Sequence, residues 1–235
     1  EDGIRDPLWS RGLGDVYKRQ ALKLFEEASG RTVRLIIHLQ KNIPAGGGLG
    51  GGSGNAAATL LALNRWYDEP LAEKELQELG EQLGSDVPFF MNPTPTLATG
   101  RGNILRSLQK YPLGEILLVI PTFSISTAKA YGMCKPKMYS PSAPPNTLTE
   151  LASEIENQFH ESLFPRYPEL NQICELLLKC GALAAAMSGS GSTVFGLFDG
   201  ALERNFAMTQ LQESTDYTLI PCKMLNSHKY FSLEN

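Results

Sequence analysis

Long apolar runs are missing from this 235-residue chain. Its best stretches, Ile116 to Ile120 and Ala182 to Met187, are far too short to cross a bilayer, so no membrane span is expected. The N-terminus is charged and has none of the apolar core of a secretory signal. A basic excess is missing as well: the formal charge of −4 and the pI near 5.5 argue against nucleic acid or an anionic membrane as the principal partner. Cysteine is scarce. Cys134, Cys174, Cys180 and Cys222 show neither CxxC nor Cys/His spacing, so no zinc site is read, and four in a chain of this length make no disulfide framework. Cys174 and Cys180 are expected to pack along a helix. A reducing compartment follows, cytoplasmic, or plastid in a plant or alga. No repeat of fixed period is present. What remains is apolar content sufficient for one large or two modest domains.

Glycine, by contrast, is concentrated. From Pro44 to Gly54 seven of eleven residues are glycine, and an alanine-rich, helix-compatible segment follows at once. Glycine is entropically costly, so such a cluster points to bare N–H groups, positive φ or close approach to a ligand. A helix beginning just after it presents unpaired N–H groups and the positive end of its dipole. An anion, above all a phosphate chain, suits that position. The plainer reading, a flexible Gly/Ser linker, fits poorly between a strand-like run and a helix-like run.

Residues 1 to 20 mix Gly, Asp, Arg and Trp9 without a clear period and are expected to be weakly structured and foreign to the domain. From Ala21 the spacing of Leu22, Phe25 and Ala28 predicts a helix that stops at Gly30. Val33, Leu35, Ile37 and Leu39 alternate, which predicts a half-buried strand with His38 on its outer face. Past the glycines, helices are predicted over Asn55 to Tyr67 and from Pro70 to Gly84, the second with Leu76, Leu79 and Leu83 on one stripe. Asp86 then sits between a helix stop and Pro88, its backbone pinned by its neighbours. An Asp in a turn is ordinarily a cap or turn former. Thr96 to Thr99 and Ile104 to Leu108 read as a hairpin, and 110–114 as a domain joint. A buried strand begins at Glu115. Pro136 to Thr147 reads as an exposed loop, and Leu148 to Phe164 and Pro168 to Cys180 as helices. Strands over Ala182 to Ser188 and Thr193 to Phe198 enclose a second glycine cluster, Ser188, Gly189, Ser190, Gly191 and Ser192, whose plain reading is a hairpin turn. A helix (Ala201 to Gln212) and a strand (Thr218 to Met224) end the chain.

Three phosphate-binding patterns compete for the first glycine cluster. A Walker A loop needs GK[ST] at its end, and Gly51-Gly52-Ser53 has no lysine. A dinucleotide fingerprint is formally present at Gly46, Gly48 and Gly51, yet two helices follow where a βαβ unit needs a strand ending in an acid. The third pattern is similar in detail: KNIPAGGGLGGGSGNAA at 41–57 resembles the phosphate loop of the GHMP kinases. LGSDVPFF at 83–90, ATGRGNIL at 98–105, PTFSISTAKAY at 121–131 and GALAAAMSGSGSTVFGLF at 181–198 resemble further segments of that superfamily, in the same order. The match runs from about Ala21 onward and is closest to the branch acting on a cytidylated methylerythritol in non-mevalonate isoprenoid synthesis.

The resemblance implies an α+β, two-domain GHMP kinase-type fold: a ribosomal S5 domain 2-like N-terminal domain over 21–113 and a ferredoxin-like C-terminal domain over 114–235. It implies ATP and Mg²⁺ as cofactors, a small-molecule alcohol as substrate, and no nucleic acid or membrane partner. Pro44, Ala45, Gly46, Gly47, Gly48, Leu49, Gly50, Gly51, Gly52, Ser53 and Gly54 match the ATP loop, Asp86 the catalytic aspartate, and Ser188 to Ser192 a second loop near the phosphates. One departure stands out. The family's opening strand, with a catalytic lysine in an AKxNxxL-like context, and a DGYH-like stretch that holds cytidine are not found, and Lys18 and Lys23 lie in other surroundings. Part of the N-terminal sheet is therefore expected to be missing. Gly54 and Asn103 replace a common serine and a common glutamate. Two alternatives stay open: a homoserine or mevalonate type of kinase, and an ATP-binding remnant without catalysis.

Overall fold

The computed structural model describes residues 13–43, 46–92, 94–100, 102, 104–108, 110–135 and 143–227, without the side chains of 13–17. Pro44, Ala45, Arg101, Asn103 and the part of the Pro/Ser-rich loop at 136–142 lie outside the described residues, as does most of the atypical N-terminal segment. The chain divides into two units, one built from residues up to Ala45 with Gly50–Gln109, the other from Lys110–Asn226 with Gly46–Leu49.

The first unit is mainly helical. Helix α1 covers Leu13–Ser29, so part of the segment expected to lack structure is helical. Helices α2 (Gly51–Trp66), α3 (Glu73–Leu83) and α4 (Val87–Met91) follow. Their shared core contains Phe25 of α1, Leu60 and Leu63 of α2 and Leu76, Leu79 and Leu83 of α3, so the leucine stripe faces inward as its spacing requires. Asn64 is buried but satisfied: its amide donates to Leu71 O at 3.0 Å and accepts from Leu71 N at 3.0 Å. That pair ties α2 to the entry of α3. Strands β1 (Thr96–Thr99) and β2 (Ile104–Ser107) form the expected antiparallel hairpin.

Residues 33–39 are not a strand. The alternation survives, with Val33, Leu35, Ile37 and Leu39 half-buried and Arg34, Ile36 and His38 exposed, but no described strand pairs with them. A β-strand is defined by its ladder, so a correct period without a partner yields an extended segment and nothing more. Pairs of strands joined to a sheet are what this stretch is patterned for.

The second unit has a four-stranded antiparallel sheet in the order β4-β5-β3-β6, built from β3 (Glu115–Ile120), β4 (Ala184–Met187), β5 (Val194–Phe198) and β6 (Thr218–Lys223). Helices α5 (Thr127–Met133), α6 (Leu148–Glu154), α7 (His160–Leu163) and α8 (Pro168–Lys179) lie between β3 and β4, and α9 (Ala201–Ser214) between β5 and β6. This is the split βαβ arrangement of ferredoxin-like domains. Pro221 lacks an N–H, and it occurs where the sheet tolerates that, on the edge strand β6. Leu117, Val119, Ile173, Leu177, Val194 and Phe198 fill the core. Arg204 of α9 pairs with Glu115 of β3, both carrying little exposure.

The single helix expected over Leu148 to Phe164 is broken into α6 and α7. Asn157 sits in the break, where its side chain accepts from Phe159 N at 2.9 Å and competes with helical bonding. All four cysteines are free. Cys174 is in the core, where burial pushes its thiol up to about 11. No helix among the described residues is long and apolar enough to cross a membrane.

Candidate active site

The first glycine loop is shorter than its sequence suggests, because α2 begins at Gly51 and takes Gly51, Gly52, Ser53 and Gly54 into its first turn. The turn closes with Gly54 N–H donating to Gly50 O at 2.9 Å. Gly50 is the N-cap, with no side-chain cap and no acid in the first turn behind it. The N–H groups of Gly51, Gly52 and Ser53 thus have no partner within the helix, and the helix dipole adds to their positive potential. Gly46, Gly48 and Gly50 take positive φ (80°, 75° and 65°), every second residue. Alternation of this kind turns successive N–H groups into an anion-binding concavity.

Glycine is required at Gly50 by its left-handed backbone and by Phe90: a Cβ there would lie 2.4 Å from the Phe90 ring. The same ring lies over Gly54, 3.6 Å from where a Cβ would stand. Phe90 therefore seats α4 on the start of α2. Asp86 lies one turn earlier, at the N-cap of α4, and is exposed. Its carboxylate makes no cap bond, and Ser85 Oγ donates to its Oδ1 at 3.2 Å. The capping explanation for this aspartate is thereby removed. An exposed carboxylate at the start of α4, the helix whose Phe90 packs on Gly50 and Gly54, can take a proton from a hydroxyl brought to it.

In the second unit, the tip of the first loop is tied to the Ser188–Ser192 loop between β4 and β5. Ser188 Oγ donates to Gly48 O at 3.0 Å and Thr193 N–H to Gly47 O at 3.2 Å. A Cβ on Gly48 would stand 2.2 Å from Ser188 O and 2.8 Å from Gly191 N, so nothing larger than glycine fits. Because the two carbonyls are occupied, the N–H groups of the loop are the ones left for a ligand. The second loop itself is tightly built: Ser190 Oγ lies 3.2 Å from Thr127 Oγ1, and Ser192 Oγ donates to Phe123 O at 2.6 Å. Thr193 Oγ1 is buried without a hydrogen-bond partner.

Beside this loop is a cavity of about 630 Å³ whose walls include Tyr131, Phe159, Phe195 and Met187, with Asn157 and Ser188 as polar members. Tyr131 and Phe159 meet edge to face at 5.1 Å. A smaller hollow of about 290 Å³ in the first unit lies between Leu35, Ile37 and Leu39 and the Ala58, Ala62, Trp66 face of α2. There Lys18 Nζ donates to Ile37 O at 3.4 Å, while Lys23 pairs with Glu27 at 3.7 Å along α1.

The sequence-predicted residues are thus brought together in two groups, Gly50 to Gly54 with Asp86 in the first unit and Gly46 to Leu49 with Ser188 to Ser192 in the second. Phe90, Asn157, His160 and Thr193 escaped the sequence reading. Only Phe90 had a usable signal, its i+4 spacing from Asp86 on a short helix.

The family models for the GHMP kinases N terminal domain and the GHMP kinases C terminal match residues 16–93 and 146–214. The chain belongs to the GHMP kinase family. It is 37% identical over 225 residues to the 4-diphosphocytidyl-2-C-methyl-D-erythritol kinase of Geobacter sp. (strain M21), covering 90% of this chain and 77% of that protein. Among solved structures it is similar to a 4-(cytidine 5'-diphospho)-2C-methyl-D-erythritol kinase, with a TM-score of 0.73 and 31% identity over 92% of this chain and 80% of the other. Homoserine kinase from Cytophaga hutchinsonii also shares the fold (TM-score 0.70, 96% of this chain and 80% of that one), but 17% identity carries the likeness no further. The two-domain GHMP fold expected from the motifs is the fold found. A GHMP kinase is an ATP-dependent enzyme acting on a small molecule.

Proposed function

We propose that this GHMP kinase transfers the γ-phosphoryl group of ATP to the 2-hydroxyl of 4-diphosphocytidyl-2-C-methyl-D-erythritol. The observation that carries the reading is the similarity to kinases of that substrate along nine-tenths of the chain, joined to a site with the right parts. The free N–H groups of Gly51, Gly52 and Ser53 at the start of α2 would hold the phosphates of ATP. Asp86 receives the proton of the attacking hydroxyl. The hydroxyl oxygen forms the new bond to the γ-phosphorus as the bond to the β-phosphate oxygen breaks, and ADP leaves. Mg²⁺ supplies charge neutralisation on the phosphates. No cluster of three His, Cys, Asp or Glu side chains is found among the described residues, and the hydroxyl of Ser53 with the phosphates and water suits an ion that keeps its waters.

The remnant reading is favoured by one feature: among the described residues Lys18 and Lys23, the lysines of the first helix, are bound to Ile37 O and Glu27. Asp86→Asn separates the two. If the kinase reading holds, turnover of the cytidylated alcohol falls by about 10²- to 10⁴-fold while ATP binding is retained. Equal turnover by both proteins sinks it, and turnover of homoserine or mevalonate in its place reassigns the substrate.

A further inference from the structure

The edge strand β4 ends at Met187, immediately before the loop that holds the first glycine loop. Ser188 N–H donates inward to Thr193 O at 2.8 Å, which turns the N–H and C=O of Met187 to the open side of the strand. Both are gripped there by the break between α6 and α7. His160 Nε2 accepts from Met187 N at 3.1 Å, and Asn157 Nδ2 donates to Met187 O at 2.6 Å and to Gly189 O at 2.9 Å. Asn157 is itself oriented by the bond from Phe159 N to its Oδ1. The His160 ring is stacked on Phe164 with centroids 4.1 Å apart. Burial pushes the imidazole down against the opposing field of Glu156, and the bond from Met187 N–H makes Nε2 the accepting nitrogen.

We propose that His160 and Asn157 are positioning residues for phosphoryl transfer: they fix Met187 and Gly189, so that Ser188 and Thr193 hold Gly48 and Gly47 with the loop's N–H groups turned to the nucleotide. His160 bonds Met187 at the end of β4, so its influence on the glycine loop passes through that strand. The helical break at 155–159, which costs backbone bonding, is accounted for by this grip. The inference rests on the kinase reading for its consequence, but its test does not.

The experiment is ATP binding by calorimetry on the full chain, with thermal melting alongside. His160→Phe keeps the stacking and removes the acceptor, and is expected to weaken ATP binding about tenfold, the effect of one buried hydrogen bond lost. His160→Gln, which offers an acceptor oxygen, restores affinity to within about twofold. Asn157→Asp, which sets a carboxylate against two carbonyl oxygens, weakens binding by at least the same order as His160→Phe. If His160→Phe binds ATP as the parent does, or if Phe and Gln variants lose affinity alike in proportion to their melting temperatures, the residues are structural and the proposal falls. Should the parent bind ATP yet phosphorylate none of the alcohols, the kinase reading fails while the ATP titrations still decide the grip.

Discussion

The two glycine loops differ in composition and in surroundings: seven of the eleven residues from Pro44 to Gly54 are glycine, whereas Ser188 to Ser192 holds two glycines and three serines. The first leads into α2, exposes Gly51 and leaves helix-start N–H groups without partners. The second turns between β4 and β5, with Ser190, Ser192 and Thr193 buried at 7%, 2% and 0% exposure. Its serines are spent on Gly48 O, Thr127 and Phe123 O. In the proposed function the first loop is the receptor and the second a brace. What distinguishes them is the element that follows: a helix leaves donors unsatisfied at its start, whereas a hairpin consumes most of its own.

The largest effect comes from breaking the contact between them. Gly48→Ala places a methyl group 2.2 Å from a backbone carbonyl on a residue with φ of 75°, and neither can yield cheaply. The cost is on the order of 3 kcal/mol from strain and overpacking, or roughly 6–12 °C in melting temperature for a chain of this size. Loss of measurable ATP binding is expected with it. Gly46→Ala is the control: its φ is 80°, but a Cβ there meets nothing within 4 Å. It should cost about 1 kcal/mol from strain alone. Equal penalties at the two positions, read by thermal melting, would show that the brace does not touch the receptor.

A smaller change separates the receptor's role from its fold. Gly51 has ordinary helical backbone and open space where a methyl group would stand, so Gly51→Ala leaves stability unchanged or raises it by up to about 0.5–1 kcal/mol. The same methyl group projects from the exposed start of the helix, where the proposed function sets the phosphates. ATP binding is expected to weaken about tenfold, comparable to one charge-assisted hydrogen bond. A variant that is more stable and binds ATP undiminished would move the phosphates away from α2.

Much of this was legible in the residues. The period of Leu76, Leu79 and Leu83 located a buried stripe, the apolar run from Glu115 a central strand, and the glycine motifs both loops. The failures share a cause, dependence on something distant in sequence. Val33 to Leu39 has a strand's alternation, but a strand needs a neighbour to bond. The helix predicted through 148–164 breaks at Asn157 because that side chain bonds Met187 O and Gly189 O some thirty residues later. α2 starts at Gly51 rather than Asn55, since glycine's low helix propensity gave no sign that Phe90 would seat on Gly50 and Gly54.

The smallest effect tests whether the brace reaches a ligand at all. Thr193 is wholly buried, its N–H bonded to Gly47 O while its Oγ1 has no partner. An unsatisfied buried hydroxyl costs about 1 kcal/mol or more. Thr193→Val keeps the branched shape and removes that atom, so melting should rise by roughly 2–4 °C. If the second loop is only a brace, ATP affinity and turnover stay as they were, because the backbone bond to Gly47 is untouched. A variant with higher melting temperature and weaker ATP binding would mean that the hydroxyl is kept unpaired in the free protein for a phosphate oxygen. The second loop would then share the receptor's role.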